Sequence, residues 1–186
     1  MASPIFVSAC LLGLPVRWDG KAVSGDYASI LTKFVSRGGR IVSLCPECSG
    51  GLPTPRPPCE IQAGDGSDVL SGKARVISIK GTDQTLAYLQ GAREALALCL
   101  QNQVKVAVLK SFSPACGNGK IYDGFFRGTK KDGIGVTASL LSQSGIRVFD
   151  EEHTLEAVAL ALKESSGESC ARHFQSREET LLRLYL

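Results

Sequence analysis

The sequence of 186 residues has no long apolar run, little net charge and few aromatic residues. No apolar stretch approaches the ~20 residues of a membrane helix, so we expect no contact with a membrane. The first residues lack the basic and apolar regions of a secretory signal, which predicts a cytoplasmic protein. The formal net charge of +3, without a stripe of Lys and Arg interleaved with aromatics, does not indicate DNA binding.

The composition is typical of one globular domain, with 44% apolar and 21% charged residues. Strand-like and helix-like segments alternate along the chain. This alternation predicts an α/β fold, a single three-layer, Rossmann-like domain over residues 1–186 with a mainly parallel sheet. No repeat or linker divides the chain, and the tail Glu168–Leu186 is predicted to be helical and peripheral.

Apolar periodicity places the individual elements. Strands are predicted near Ile5–Ser8, Ile41–Leu44, Val104–Leu109 and Ile146–Phe149, with Ala74–Lys80 as an edge strand or hairpin arm. Helices are predicted near Asp26–Ser36, Asp83–Gln101, Gly133–Gln143 and Leu155–Lys163. The proline-rich stretch from Cys45 to about Gly66 is predicted to be a long loop, and loops of this length in compact domains are usually functional or disordered.

Seven cysteines, an odd number, do not suit a disulfide framework in a reducing compartment. Three of them, Cys10, Cys45 and Cys116, come after predicted strands. Because ligands bind beyond the carboxyl ends of parallel strands, these thiols are predicted to form one site. Three thiolates suit a metal or cluster that keeps one position open for chemistry.

Cys45 and Cys48 form a C-x-x-C, which fits half a zinc site, a redox pair or one ligand beside a second thiol. No second C-x-x-C exists, and His153 and His173 have no ligand spacing. The glycines Gly50-Gly51 disfavour the helix that a thioredoxin-like motif would continue. We therefore favour Cys45 as the ligand and Cys48 as its neighbour. The remaining cysteines are predicted not to be ligands: Cys59, Cys99 and Cys170.

Three segments follow one another along the chain: Ser8–Gly13 with Arg17–Gly20, Cys45–Glu47 with Gly50–Pro57, and Ser113–Gly117. Together they resemble the bacterial thiouracil desulfidases, and the resemblance covers at least Pro4 to Gly145. The resemblance implies a 4Fe–4S cluster held by only three cysteines, here Cys10, Cys45 and Cys116, whose fourth iron is free to bind the sulfur of a thiolated uracil.

The same resemblance places two candidate catalytic residues beside the cluster, Glu47 and Ser113. It implies hydrolysis without net redox change, in which Glu47 moves a proton and Ser113 orients the base. Asp19, Arg56 and Ser111 are candidate substrate-binding residues, although an internal ion pair explains Asp19 and Arg56 equally well.

The expected partner is a small thiolated nucleobase or nucleoside, and thiolated tRNA is also consistent with the resemblance. Two alternatives stay open. One is another class of iron–sulfur enzyme. The other is a zinc-stabilised binding module that uses Cys45, Cys48, Cys59 and Cys116.

Overall fold

The computed structural model describes residues 2–164 and has a central sheet of four parallel strands. Numbered along the chain, the strands lie in the order β2 (Ile41–Leu44), β1 (Ile5–Ser8), β5 (Val106–Leu109) and β8 (Arg147–Asp150). Ile5 pairs with both Ile41 and Val106, and Val106 pairs in turn with Arg147. The predicted α/β fold with a mainly parallel sheet is confirmed.

Both faces of the central strands are buried, which explains their continuous apolar sequences. In β1, Ile5 and Val7 point into one core and Phe6 into the other, and β5 alternates in the same way. Helices α1 (Tyr27–Ser36) and α6 (Thr154–Glu164) cover the first face. Helices α4 (Thr85–Gln101) and α5 (Val136–Gln143) cover the second, so the domain has three layers.

The periodicity predicted these helices closely, with small shifts at their ends. Helix α4 begins at Thr85, whose backbone N–H bonds to the carboxylate of Asp83 at 2.9 Å. No helix within residues 2–164 is long and apolar enough to cross a membrane. The tail Glu168–Leu186, predicted to be helical, lies outside the described residues, as does Cys170.

The predicted loop from Cys45 to about Gly66 is wrong in two places. A one-turn helix, α2 (Pro46–Ser49), starts directly after Cys45, with proline at the first position, where its missing N–H costs nothing. Further on, β3 (Cys59–Gln62) pairs antiparallel with β4 (Arg75–Ser78). The prediction of a hairpin arm around β4 is thereby confirmed, whereas β3 is too short and too close to prolines to show a strand pattern.

Two further elements have no counterpart among the predictions. A second hairpin joins β6 (Lys120–Tyr122) to β7 (Lys130–Asp132), and a short helix, α3 (Gly66–Leu70), is capped by Asp65. Strands of three residues with mixed composition carry no alternation that separates them from a turn.

Helix α2 packs against α4 through two glycines. A Cβ atom built on Gly91 would lie 1.8 Å from the carbonyl oxygen of Pro46, and one on Gly50 would lie 2.0 Å from that of Ala87. Only glycine permits so close an approach of two backbones. This contact holds α2, and with it Glu47, against the core.

Candidate active site

A cavity of about 310 Å³ opens at the carboxyl edge of the central sheet. Cys10, Cys45 and Cys116 follow the neighbouring strands β1, β2 and β5, and all three line the cavity. We call these three residues the cysteine wall. The structure thus brings together thiols that are far apart in sequence, in a cavity of the size that small molecules occupy.

Other lining residues come from the two hairpins and the segments beside them. We call this group the hairpin wall: Cys59, Glu60, Ile79, Tyr122, Phe126 and Gly128. Apolar atoms dominate the cavity surface as a whole, which suits a flat, weakly polar ligand.

Two thiols of the cysteine wall, those of Cys45 and Cys116, form hydrogen bonds with neighbouring groups. Ser8 Oγ donates a hydrogen bond to Cys116 Sγ at 3.5 Å, and Cys45 Sγ donates to the Val16 carbonyl oxygen at 3.7 Å. Burial raises the pKa of Cys10 to about 11 and that of Cys45 to about 12, and it also raises the pKa of Cys116. The thiols are therefore neutral in the metal-free protein, and metal binding would release protons.

Cys48 lies beside Cys45 but not in the cavity lining within residues 2–164. Its thiol donates to the same Val16 carbonyl oxygen at 3.7 Å and lies 3.4 Å from Thr54 Oγ1. Arg56 Nη1 also donates to Cys48 Sγ at 3.8 Å. Helix α2 ends one residue later, so the longer helix of a thioredoxin-like motif does not follow.

Glu47, the first candidate catalytic residue, is fixed by two partners. Arg56 Nε donates to its Oε2 at 2.8 Å, and Arg56 Nη2 forms an ion pair with the same oxygen at 2.8 Å. This leaves Oε1 to accept from Ser113 Oγ at 3.2 Å. Burial lowers the pKa of Arg56, but the Glu47 carboxylate more than offsets this, and the net shift is upward. Arg56 therefore stays charged and orients the carboxylate beside the cysteine wall.

Ser113, the second candidate, stabilises the turn that carries Cys116. Its Oγ accepts the backbone N–H groups of Ala115 at 3.1 Å and of Cys116 at 3.2 Å while donating to Glu47. One hydroxyl thus links the carboxylate to a residue of the cysteine wall, and both line the cavity.

The three candidate substrate-binding residues differ in position. Arg56 and Ser111 line the cavity, whereas Asp19 is not among its lining residues within the described chain. Asp19 instead pairs with Arg17, a lining residue, at 3.4 Å. Ser111 donates to the Glu151 carboxylate through both its N–H (2.7 Å) and its Oγ (2.8 Å).

The donor set fits an iron–sulfur cluster better than a single metal ion. Within residues 2–164 no group of three His, Cys, Asp or Glu side chains is placed to hold a single metal ion. A cluster is wider, because each cysteine binds a different iron atom. Cys10, Cys45 and Cys116 come from separate strand ends and line one cavity, a donor set whose chemistry suits such a cluster. Cys99, by contrast, is fully buried in the core.

The contacts of several site residues could not be predicted from the sequence. Ser8 lies in the first of the three motifs, but nothing local indicates its hydrogen bond to Cys116, and Tyr88 reads as one apolar position of α4. In the structure Tyr88 is 2% exposed, lines the cavity and hydrogen-bonds to Cys59. Glu151 and Glu60 accept hydrogen bonds from residues far away in sequence, Ser111 and Gly124 respectively.

Comparison with known proteins agrees with this geometry. The 2-thiouracil desulfurase family matches residues 5–153 of the chain. The uncharacterized protein YbbK of Bacillus subtilis (strain 168) is 42% identical over 147 residues, or 79% of this chain and 95% of YbbK. The solved structure of TudS, a 4Fe–4S-dependent thiouracil desulfidase, superimposes with a TM-score of 0.74 at 42% identity, covering 87% of this chain and 99% of that one. The chain therefore belongs to the 2-thiouracil desulfurase family.

Proposed function

We propose that this protein is an iron–sulfur-dependent desulfidase that converts a thiolated uracil to uracil and sulfide. The observation that carries the proposal is the meeting of three strand-end thiols with Glu47 and Ser113 in one cavity. Family membership and the likeness to TudS support the activity and the 4Fe–4S cofactor.

Cys10, Cys45 and Cys116 would hold the cluster as thiolates. When bound, such a cluster keeps one iron without a protein ligand, a Lewis acid for the thiocarbonyl sulfur and for the departing sulfide. The remaining work falls to this chain's side chains, which bind the ring, orient it and move protons.

Glu47 is placed to move the proton in a hydrolytic reaction. Its Oε2 is occupied by Arg56, so Oε1, beside the Ser113 hydroxyl, is the oxygen that takes a proton from water. The water oxygen bonds to the thiocarbonyl carbon, the C–S bond breaks, and Glu47 passes its proton to the leaving sulfur. The second proton of the water leaves the added hydroxyl to solvent as the new C=O bond forms. Water is consumed, hydrosulfide is released, and nothing is oxidised or reduced.

The cavity selects for a small planar ligand. About 310 Å³ bounded largely by apolar atoms must take both the cluster and the substrate ring, which leaves room for a small base and none for folded nucleic acid. We propose a free thiolated base or nucleoside as substrate, and a thiolated tRNA would have to turn its modified base into the cavity.

Turnover in isotopically labelled water tests the proposal. Protein reconstituted with iron and sulfide without oxygen is given 4-thiouracil or 2-thiouracil in water enriched in oxygen-18. We expect equal amounts of uracil and sulfide, with one heavy oxygen at the carbon that lost sulfur. Uracil without label would reject hydrolysis, and absence of uracil with both substrates would reject the activity.

A further inference from the structure

The hairpin wall contains a buried carboxylate that the proposed reaction does not use. Glu60, in β3, is 7% exposed and lines the cavity. Its Oε2 accepts the backbone N–H groups of Gly124 at 2.8 Å and of Phe126 at 3.0 Å. No salt bridge reaches Glu60 within residues 2–164. A buried carboxylate is costly without partners, so these two backbone hydrogen bonds stabilise Glu60 in its buried position.

The two N–H groups belong to the loop of residues 123–129, which joins β6 to β7. Gly124, Phe126 and Gly128 all have positive φ, at 93°, 55° and 74°. Residues with a Cβ atom disfavour this region, so Phe126 needs outside contacts to stay there. Turns of this kind direct neighbouring N–H groups to one point and bind anions, and here the anion is the Glu60 carboxylate.

The loop is also docked closely on β3. A Cβ atom at Gly124 would lie 2.5 Å from the carbonyl oxygen of Ile61, so the two backbones are in direct contact. Gln62 Nε2 donates to the Gly124 carbonyl oxygen at 3.2 Å. The loop therefore leans on the same strand that carries Glu60.

This anchoring decides which aromatic side chain faces the cavity. Phe126 lines it, whereas its neighbour Phe125 is 68% exposed and stacks with Arg127. An aromatic ring in a cavity wall offers a flat apolar face to a pyrimidine. If the loop were released, Phe126 could leave its strained conformation and the wall would open.

We propose that Glu60 is a positioning residue, which holds the loop of residues 123–129 so that Phe126 forms the wall against which the substrate ring binds. This inference rests on the proposed function, because it assigns the ring-binding face of the same cavity. Glu60 itself takes no part in proton transfer. It governs substrate affinity through the loop.

Two substitutions at Glu60 and one control test the assignment. In Glu60→Ala we expect KM for the thiouracil to rise about tenfold, the effect of losing hydrogen bonds to a charged group, while kcat changes less than about twofold. Glu60→Gln keeps one acceptor oxygen and should show a smaller rise. Asp132→Ala removes an exposed carboxylate from β7 of the same hairpin and should behave as the parent.

Amide hydrogen exchange provides a readout that does not need activity. Residues 123–129 should exchange faster in Glu60→Ala and unchanged in Asp132→Ala. Parent-like exchange there would overturn the anchoring, and faster exchange with unchanged KM would overturn the role of the loop in binding. Should Glu60→Ala fail to fold, Phe126→Ala replaces it, and an unchanged KM in that variant refutes the wall. An inactive parent would instead refute the proposed function, while exchange still decides the anchoring.

Discussion

The two walls of the cavity are built by different means. Each residue of the cysteine wall follows a strand of the central sheet, so local sequence and parallel pairing determine its place. The hairpin wall depends on short antiparallel strands and on contacts such as Glu60 with Gly124, which lie 64 positions apart. The wall proposed for chemistry is therefore positioned by the pairing of the central sheet, whereas the wall proposed for binding is held by a few polar contacts.

Removal of the metal should have the largest effect on activity, and it acts on the cysteine wall alone. We expect chelation of iron from reconstituted protein to abolish sulfide release, because the Lewis acid is lost. The fold should persist, since Cys10 is buried in one of the two apolar cores and Cys116 in the other. Sulfide release and far-ultraviolet circular dichroism, measured on the same sample, check this. Undiminished turnover in metal-free protein would contradict the account.

Glu47→Gln should come next in size. The amide keeps the shape and can still accept from Ser113, but it cannot take up a proton. We expect kcat to fall at least about 100-fold with little change in KM and in iron content. This is the opposite of the KM effect expected for Glu60, and steady-state kinetics of both variants would sharpen the division between the walls. A parent-like kcat would leave Glu47 without a catalytic role.

The backbone contact between α2 and α4 can be tested by adding a side chain at Gly91. Alanine is usually the better helix residue by about 1 kcal/mol, so propensity alone predicts that Gly91→Ala stabilises the protein. Because the added Cβ would lie 1.8 Å from the Pro46 carbonyl oxygen, we expect a loss of about 1–3 kcal/mol in the free energy of unfolding.

Urea denaturation measures this loss, and iron content reports any shift of Cys45. The matched control is Ala97→Gly at an exposed position of α4, which should lose stability through helix propensity alone and keep its iron. A stabilised Gly91→Ala protein would show that the two backbones are not in contact.

The smallest expected effect is a pH dependence at Glu151. Burial raises its pKa, but hydrogen bonds from Lys110 and Ser111 prevail and hold it below the usual value. A carboxyl group with a lowered pKa stabilises the fold above its ordinary pKa and loses that contribution as pH falls through the folded-state value. The stability difference between the parent and Glu151→Gln should therefore stay constant down to about pH 5, and shrink as the pH falls below the ordinary value of about 4.3 through the lowered folded-state pKa. A difference that also stays constant at lower pH would contradict this ion pair.

The sequence predicted one wall and missed most of the other for physical reasons. Apolar runs ending at Ser8, Leu44 and Leu109 specify parallel strands, and the residues after them must share an edge. Nothing local marks β3, β6 or β7, because their three or four residues gain stability from pairing partners that the sequence does not reveal. The contact of Gly91 with Pro46 could not be predicted either, since a glycine within a helix does not indicate which segment packs against it.

Iron content across a series of single Cys→Ala variants shows whether Cys10, Cys45 and Cys116 hold the cluster. After anaerobic reconstitution, Cys10→Ala, Cys45→Ala and Cys116→Ala should lose the cluster's iron and its broad absorbance near ~400 nm. Cys48→Ala, Cys59→Ala and Cys99→Ala should retain about four irons per chain. If Cys48→Ala loses its iron while Cys10→Ala keeps it, the cysteine wall does not hold the cluster.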